Sequence, residues 1–358
     1  MKFSDKLQYL RYLVDKRGMQ PVYLILGLTY DCNSFCRTCF NWEQLRKNKE
    51  HELSLDEIRK TFASLGDLLF LVMSGGEPFL RRDLPEVCEF LATNNHVKQI
   101  TIPTGAIATD LIARSVESTL QRCPSTQIAV NLSIDHIGEK HDWIRGVPGN
   151  YEKAKATYAR LIELRNRFDN LTVNVHTCLC TYNVDDLDAL FAGVRRDFPE
   201  ISFHSFEIMR GDQPDKSIQP ISTERYREVL PKLEAYWASY THYDSFLRFV
   251  KMYTRRMELA VLEQETQVRP CHAGTVSGVL DARGEVRMCE LREPVGNVRD
   301  AGYDFTRLWF SPEADRQRAS IKAKECHCTH SCFLSSSLVF DWRTWGTYFA
   351  STVVNFLS

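Results

Sequence analysis

Six short apolar runs separated by helical segments restrict this chain to a narrow set of folds. The runs lie at 22–28, 68–73, 97–102, 127–134, 171–179 and 201–208. Between them, 54–65, 83–92, 109–120, 151–167 and 184–195 carry helical spacing. Ser54 followed by Glu57 is a capping signature that starts the first of these helices. Strand–helix alternation implies a parallel sheet with helices outside it. Six units in a row predict an α/β fold, a partial (β/α)6 barrel rather than a closed eight-stranded one. In such barrels the chemistry sits at the C-terminal ends of the strands.

A cysteine loop follows the first run. Cys32, Cys36 and Cys39 stand in C-x3-C-x2-C spacing, which lets one short loop turn three sulfurs inward. Thiolates are soft ligands suited to zinc or iron–sulfur clusters. Three thiolates with no local fourth suit a [4Fe–4S] cluster with one iron open to an outside ligand; a zinc site or three core cysteines are the alternatives. The chain has twelve cysteines in 358 residues. Residues 1–20 lack the apolar stretch of a secretory signal, so a cytoplasmic location is expected, disulfides are not, and clustered cysteines point to metal. A net charge of −1 gives no electrostatic footprint for nucleic acid. No apolar run reaches the 18 residues of a membrane span. Residues 1–20 read as an amphipathic helix docked on the domain, with membrane-surface contact the less favoured alternative.

The pattern changes after Gly211. Residues 21–211 form the barrel, 212–268 a helical connector, 269–332 a second cysteine region and 333–358 an aromatic tail. In the second region 276–280 and 285–289 read as a hairpin around 281–284, followed by a helix over 312–324. The tail carries seven aromatic residues and two charges; it reads as a terminal helix packed on the barrel, a substrate lid or membrane contact being the alternative. Cys88, Cys123, Cys178 and Cys180 read as small core residues, and one of Cys178 and Cys180 can face the barrel interior.

Several motifs line up at strand ends. After Cys32-x3-Cys36-x2-Cys39 come Ser74-Gly75-Gly76-Glu77-Pro78 behind the second strand, then Asn131 to Asp135 at the end of the fourth, then His141 to Gly146. Together these resemble the radical S-adenosylmethionine (SAM) superfamily over residues 21–210. The resemblance implies that Cys32, Cys36 and Cys39 ligate a [4Fe–4S] cluster whose open iron is chelated by SAM. Gly75, Gly76, Glu77 and Pro78 match its SAM-binding motif. Glycines permit close approach to a ligand, and Glu77 can accept from a cationic amino group. Ser133, Asp135 and Arg145 match positions that contact the ribose or methionine carboxylate. Two positions depart from the pattern. Thr38 stands where many relatives have an aromatic residue against adenine, for which Phe35 or Phe40 could substitute, and Thr104-Gly105-Ala106 stands where many have Thr-Asn-Gly.

Cys271, Gly284 and Cys289, with Cys326, Cys328 and Cys332, resemble the Twitch and SPASM auxiliary domains. Five cysteines suit one auxiliary [4Fe–4S] cluster with one thiol left over. C-x-C pairing on one cubane is awkward, so Cys326 or Cys328 is expected to be the spare thiol, a possible hydrogen donor to a substrate radical. Zinc is the alternative here too, and His327 and His330 read as loop histidines. The resemblance further implies a reductase partner such as flavodoxin or ferredoxin, reductive cleavage of SAM to a 5′-deoxyadenosyl radical, and hydrogen abstraction from an unactivated carbon. Only about 20 residues precede the first strand, too few for a peptide-binding domain. A small-molecule substrate (a sugar, aminocyclitol or natural-product intermediate) is therefore expected, undergoing oxidation, epimerisation or bond formation. A peptide maturase, a lipid-modifying enzyme and an iron–sulfur electron-transfer protein are the competing readings.

Overall fold

The computed structural model describes residues 12–13, 18–47 and 51–357. The helix expected over 1–20 falls almost wholly outside the described residues; Tyr12 and Leu13, which are described, are helical. Strands β1 (Tyr23–Thr29), β2 (Phe70–Gly75), β3 (Gln99–Thr104), β4 (Gln127–Ser133), β5 (Leu171–Leu179) and β6 (His204–Ile208) lie side by side in chain order, all parallel. Helices α1 (Leu55–Ala63), α2 (Leu84–Asn94), α3 (Thr109–Arg122), α4 (Gly138–Arg145), α5 (Asn150–Arg165) and α6 (Leu187–Asp197) connect them. This is the α/β partial barrel that the alternation predicts. The cap on α1 forms as a reciprocal pair: Ser54 Oγ accepts from Glu57 N–H, and a Glu57 carboxylate oxygen accepts from Ser54 N–H at 2.8 Å.

Along β5 the odd-numbered residues are buried, while Asn174, His176 and Cys178 alternate with them. The inner face of β3 to β6 is therefore polar, with Thr101, Asn131, Asn174, His176, Ser205 and Glu207 facing one interior cavity. A barrel interior filled only by packing would carry branched apolar residues instead.

The second cysteine region continues the same sheet. β7 (Ser277–Leu280) pairs in parallel with β1, from Tyr23 opposite Ser277 to Leu26 opposite Leu280. β8 (Glu285–Arg287) and the short β9 (Gly296–Asn297) then add antiparallel strands. In an open barrel the outer edge of β1 has unpaired backbone groups, and β7 satisfies them. The connector is two helices, α7 (Thr223–Ala238) and α8 (Ser245–Gln264), followed after the hairpin by α9 (Phe305–Trp309) and α10 (Pro312–Lys322).

The aromatic tail is also two helices, α11 (Ser331–Val339) and α12 (Trp342–Leu357), rather than one. Val339 and Phe340, at the break, pack with Val22, Leu69 and Val276 at the N-terminal ends of the first strands. The tail thus stoppers the bottom of the barrel. Trp345 stacks on Phe246 of α8 at 4.0 Å and Tyr348 meets the same ring edge-on. Among the described residues no helix is long and apolar enough to cross a membrane.

Candidate functional site

The loop carrying Cys32, Cys36 and Cys39 leaves the C-terminal end of β1 and is held on two sides. Gly76 N–H donates to Thr29 O at 2.6 Å and Glu77 N–H to Asp31 O at 2.8 Å. On the other side Phe35 N–H donates to Arg145 O and Arg37 N–H to Ile144 O, at the end of α4. Gly75 has φ of +119°, and a Cβ there would stand 2.1 Å from Thr29 O; at Gly76 it would stand 2.0 Å from Asp31 O. The two glycines therefore permit a close approach of loop to loop.

Burial pushes the Cys32 and Cys39 thiols up to about 11, each with Cys36 as a charged neighbour and Arg145 as the nearby cation. Burial also works against the Arg145 guanidinium, but Cys36, Asp135 and Cys32 more than offset it. Arg145 bonds Asp135 at 3.3 Å, and the other Asp135 oxygen accepts from Cys178 N–H at 2.9 Å. A Cβ on Gly105 would come within 3.0 Å of Ser34 Oγ and 3.3 Å of an Arg145 nitrogen, so the loop after β3 closes on the same point. Ser133 ends β4 on the cavity-facing side, opposite His176 of β5.

Glu77 is fully engaged by the protein on one oxygen, which accepts from Thr104 Oγ1 at 2.9 Å and Gly105 N–H at 2.8 Å; the other accepts from Phe79 N–H at 3.3 Å. Pro78 opens the short turn behind it. A carboxylate has about four acceptor positions, which leaves one for an ammonium group, while burial raises its pKa. Phe35 is 62% exposed with Arg46 over its ring, Phe40 carries Arg210 over its ring, and Thr38 is buried. Sequence reasoning missed His141 and Asn150. Burial lowers His141 to about 4. The neutral ring accepts from Asp135 N–H on Nδ1 and meets Asn150 Oδ1 through Nε2 at 3.0 Å, while Asn150 donates to Gly105 O at 2.8 Å. His141 was visible in the motif, but nothing in the spacing marked Asn150.

The residues fit a bound cluster and SAM. Asn33 Oδ1, Ser34 Oγ and Arg145 Nε are buried with no hydrogen-bond partner, so the loop holds polar atoms that the protein alone leaves unsatisfied. Among the described residues no three His, Cys, Asp or Glu side chains converge on a point that would hold one metal ion.

In the second set, the Cys271 thiol, pushed up to about 11 by burial, has Cys328 and Cys326 as charged neighbours. Burial likewise raises Cys289, beside Cys328 and Cys271. Arg292 donates to Cys326 Sγ at 3.1 Å. Cys332 stands apart. Burial pushes it up to about 11, and its neighbours are Glu207, Arg210, Tyr23 and Glu290. It lines the barrel cavity. This placement favours Cys332, rather than the expected Cys326 or Cys328, as the thiol left outside a four-cysteine set. The C-x-C argument assumed regular alternation, but 325–330 is irregular chain that can bring both sulfurs to one side, while Cys332 has already entered α11 and turns with Ser335 and Ser336 towards the barrel. His330 is buried against Glu290, which also meets Arg210.

The cavity beneath the cluster loop measures about 220 Å³. Its upper wall is polar, with His176 and Glu207 next to the Ser133–Asp135 strand end; its floor is aromatic, with Phe203, Trp237, Tyr243 and Phe340. α8 and α11 line its remaining side.

Residues 26–192 match the model of the Radical SAM superfamily. The AdoMet-dependent heme synthase of Oleidesulfovibrio alaskensis is 25% identical over 320 residues, covering 85% of this chain and 78% of that protein. The GTP 3′,8-cyclase of Pasteurella multocida is 38% identical over 129 residues, 35% of this chain and 36% of the cyclase. Among solved structures, Streptococcus suis SuiB bound to S-adenosylmethionine superposes with a TM-score of 0.60 at 14% identity, over 88% of this chain and 73% of that one; this is a likeness of fold.

Proposed function

On the premise that this chain is a radical SAM enzyme, we propose that it acts on a small molecule held in the barrel cavity, with an auxiliary iron–sulfur cluster beside that cavity. The family uses a [4Fe–4S] cluster and SAM, which when bound supply a 5′-deoxyadenosyl radical able to take a hydrogen atom from an unactivated carbon. Cys32, Cys36 and Cys39 would hold the cluster. Arg145, oriented by Asp135, would meet the methionine carboxylate, and the remaining acceptor position of Glu77 would meet its amino group. Glu77 also holds the loop at Gly105 in place, and Asn150 ties that loop to His141. Cys271, Cys289, Cys326 and Cys328 would hold the auxiliary cluster. α8 and α11 line the outer side of the cavity, where they would shield a radical from quenching and keep substrate in register.

The observation that carries this reading is the cavity, whose 220 Å³ suit a compact molecule and not a peptide segment. Transfer of deuterium tests it. Reconstituted enzyme is reduced with SAM and offered two extracts from cells grown on deuterated medium, one of small metabolites and one of peptides. Deuterium in 5′-deoxyadenosine from the metabolite extract is the expected outcome; label arriving only from the peptide extract would overturn the small-molecule reading.

A further inference from the structure

We propose that the barrel cavity is a carboxylate subsite, in which Lys251 of α8 binds the carboxylate of a compact, ring-bearing substrate whose apolar part rests on the aromatic floor. This deepens the small-molecule reading above and rests on it. Three charged side chains line the cavity: Glu207, Lys251 and Arg255. Two are already neutralised by neighbours. Glu207 pairs with Arg210 at 2.7 Å, and Arg255 pairs with Glu258 at 2.8 Å in a fully buried contact. Lys251 has no ion pair or hydrogen bond among the described residues. Burial and the Arg255 cation disfavour its ammonium while Cys332, Glu207 and Glu258 act the other way from a distance, so an anion in the cavity would give the ammonium the direct partner it lacks.

The rest of the wall agrees with a ligand of this shape. Asn174 donates to Asn131 Oδ1 at 3.0 Å, but its own Oδ1 is buried without a partner, leaving one polar wall group for a substrate to satisfy. Below Lys251, Phe203 stacks on Tyr243 at 4.5 Å and Phe340 closes the floor. A cavity of about 150 Å³ accepts a benzene ring, so the space here takes a ring and one small polar group. A single unpaired cation matches a monoanion; a phosphate dianion calls for more donors. The polar upper wall abuts Ser133, through its register partner His176, so a ligand anchored at Lys251 reaches towards the end of the barrel where the cluster loop lies.

The test uses the anaerobically reconstituted full chain and four probes that share a phenyl ring: phenylacetate, phenylacetamide, phenethylamine and phenyl phosphate. Binding is read by saturation-transfer NMR and calorimetry. Phenylacetate is expected to bind about tenfold or more tightly than the other three, as one charge-assisted contact predicts. Lys251→Met is expected to lose that preference and Lys251→Arg to keep it. Equal or tighter binding of the amide, amine or phosphate, or an unchanged preference in Lys251→Met, overturns the proposal; the wild-type ranking alone decides it if the Met variant does not fold. Wild-type enzyme from the same preparation is assayed for 5′-deoxyadenosine. Cleavage of SAM with no preference for phenylacetate sinks the subsite alone, and the preference without cleavage sinks the radical reading alone.

Discussion

Replacing Cys332 with alanine is expected to leave the iron content of the chain unchanged. Cys326 and Cys328 are charged neighbours of Cys271, and Cys328 and Cys271 of Cys289, whereas Cys332 neighbours Glu207, Arg210 and Tyr23, so the proposed ligand set is Cys271, Cys289, Cys326 and Cys328. Four thiolates complete a cubane, so with the N-terminal cluster the wild type should carry about eight irons and eight sulfides per chain. Cys332→Ala should also carry about eight, losing only the packing of one half-buried sulfur, on the order of 1 kcal/mol. Cys271→Ala or Cys328→Ala should fall to about four, because the cluster at Cys32, Cys36 and Cys39 is untouched. Those variants should also unfold at lower temperature, since metal-site free energy is folding free energy. Colorimetric iron and sulfide counts on anaerobically reconstituted protein, with Mössbauer spectra to separate the two clusters, read the outcome. The partition is refuted if Cys332→Ala drops to about four irons while Cys326→Ala or Cys328→Ala keeps eight.

Other consequences follow from single contacts. Gly75→Ala places a Cβ 2.1 Å from Thr29 O at a φ of +119°; it should destabilise the chain by about 3 kcal/mol or more and release the first cluster, and an unchanged melting curve with full iron would contradict the loop-on-loop account. Glu57 clamps α1 to the turn after β9 through Arg299 at 2.7 and 3.1 Å. The bond to Arg299 lowers its pKa from 4.5 to about 2, so its contribution is fully present above about pH 4.5 and is lost as pH falls towards 2. With partial exposure discounting the shift, Glu57→Gln should cost about 1–2 kcal/mol at pH 7, and its denaturation midpoint should converge on wild type between pH 4.5 and 2; a constant gap across that range would count against the clamp. Arg145→Gln should weaken SAM binding about tenfold or more in equilibrium dialysis with iron content retained, and unaltered affinity would remove Arg145 from the binding site.

The alternation of apolar runs and helices was enough to read the six parallel strands, because each strand keeps apolar residues on the face it packs against the helices even where its inner face is polar. The bounds of β5 are those expected, and the Ser54–Glu57 cap forms because it depends on residues three apart. Non-local pairing was less legible. Nothing in Ser277–Leu280 states that it will pair with β1, since that choice depends on the free edge of an open barrel. The break between α11 and α12 depends on Val339 and Phe340 finding Val22 and Leu69, over 250 residues away in the chain. At the site, motif spacing marked Cys32, Gly75 to Pro78, Asp135 and Arg145, and the fold brings these to one strand-end region. It did not disclose that Glu77 spends most of its acceptor capacity on Thr104, Gly105 and Phe79. Nor did it disclose that Cys332 turns away from its neighbours, or that Lys251 stands unpaired over the cavity. Each of these is settled by which face of a helix or turn meets the barrel.

We propose that the Cys32–Cys36–Cys39 loop holds a cluster that cleaves SAM. It is tested most directly by measuring 5′-deoxyadenosine after anaerobic reduction of the reconstituted chain with SAM, alongside Cys36→Ala. The account predicts formation of 5′-deoxyadenosine and methionine in equal amounts by the wild type and none by Cys36→Ala. A reduced, iron-replete wild type that leaves SAM intact would contradict it.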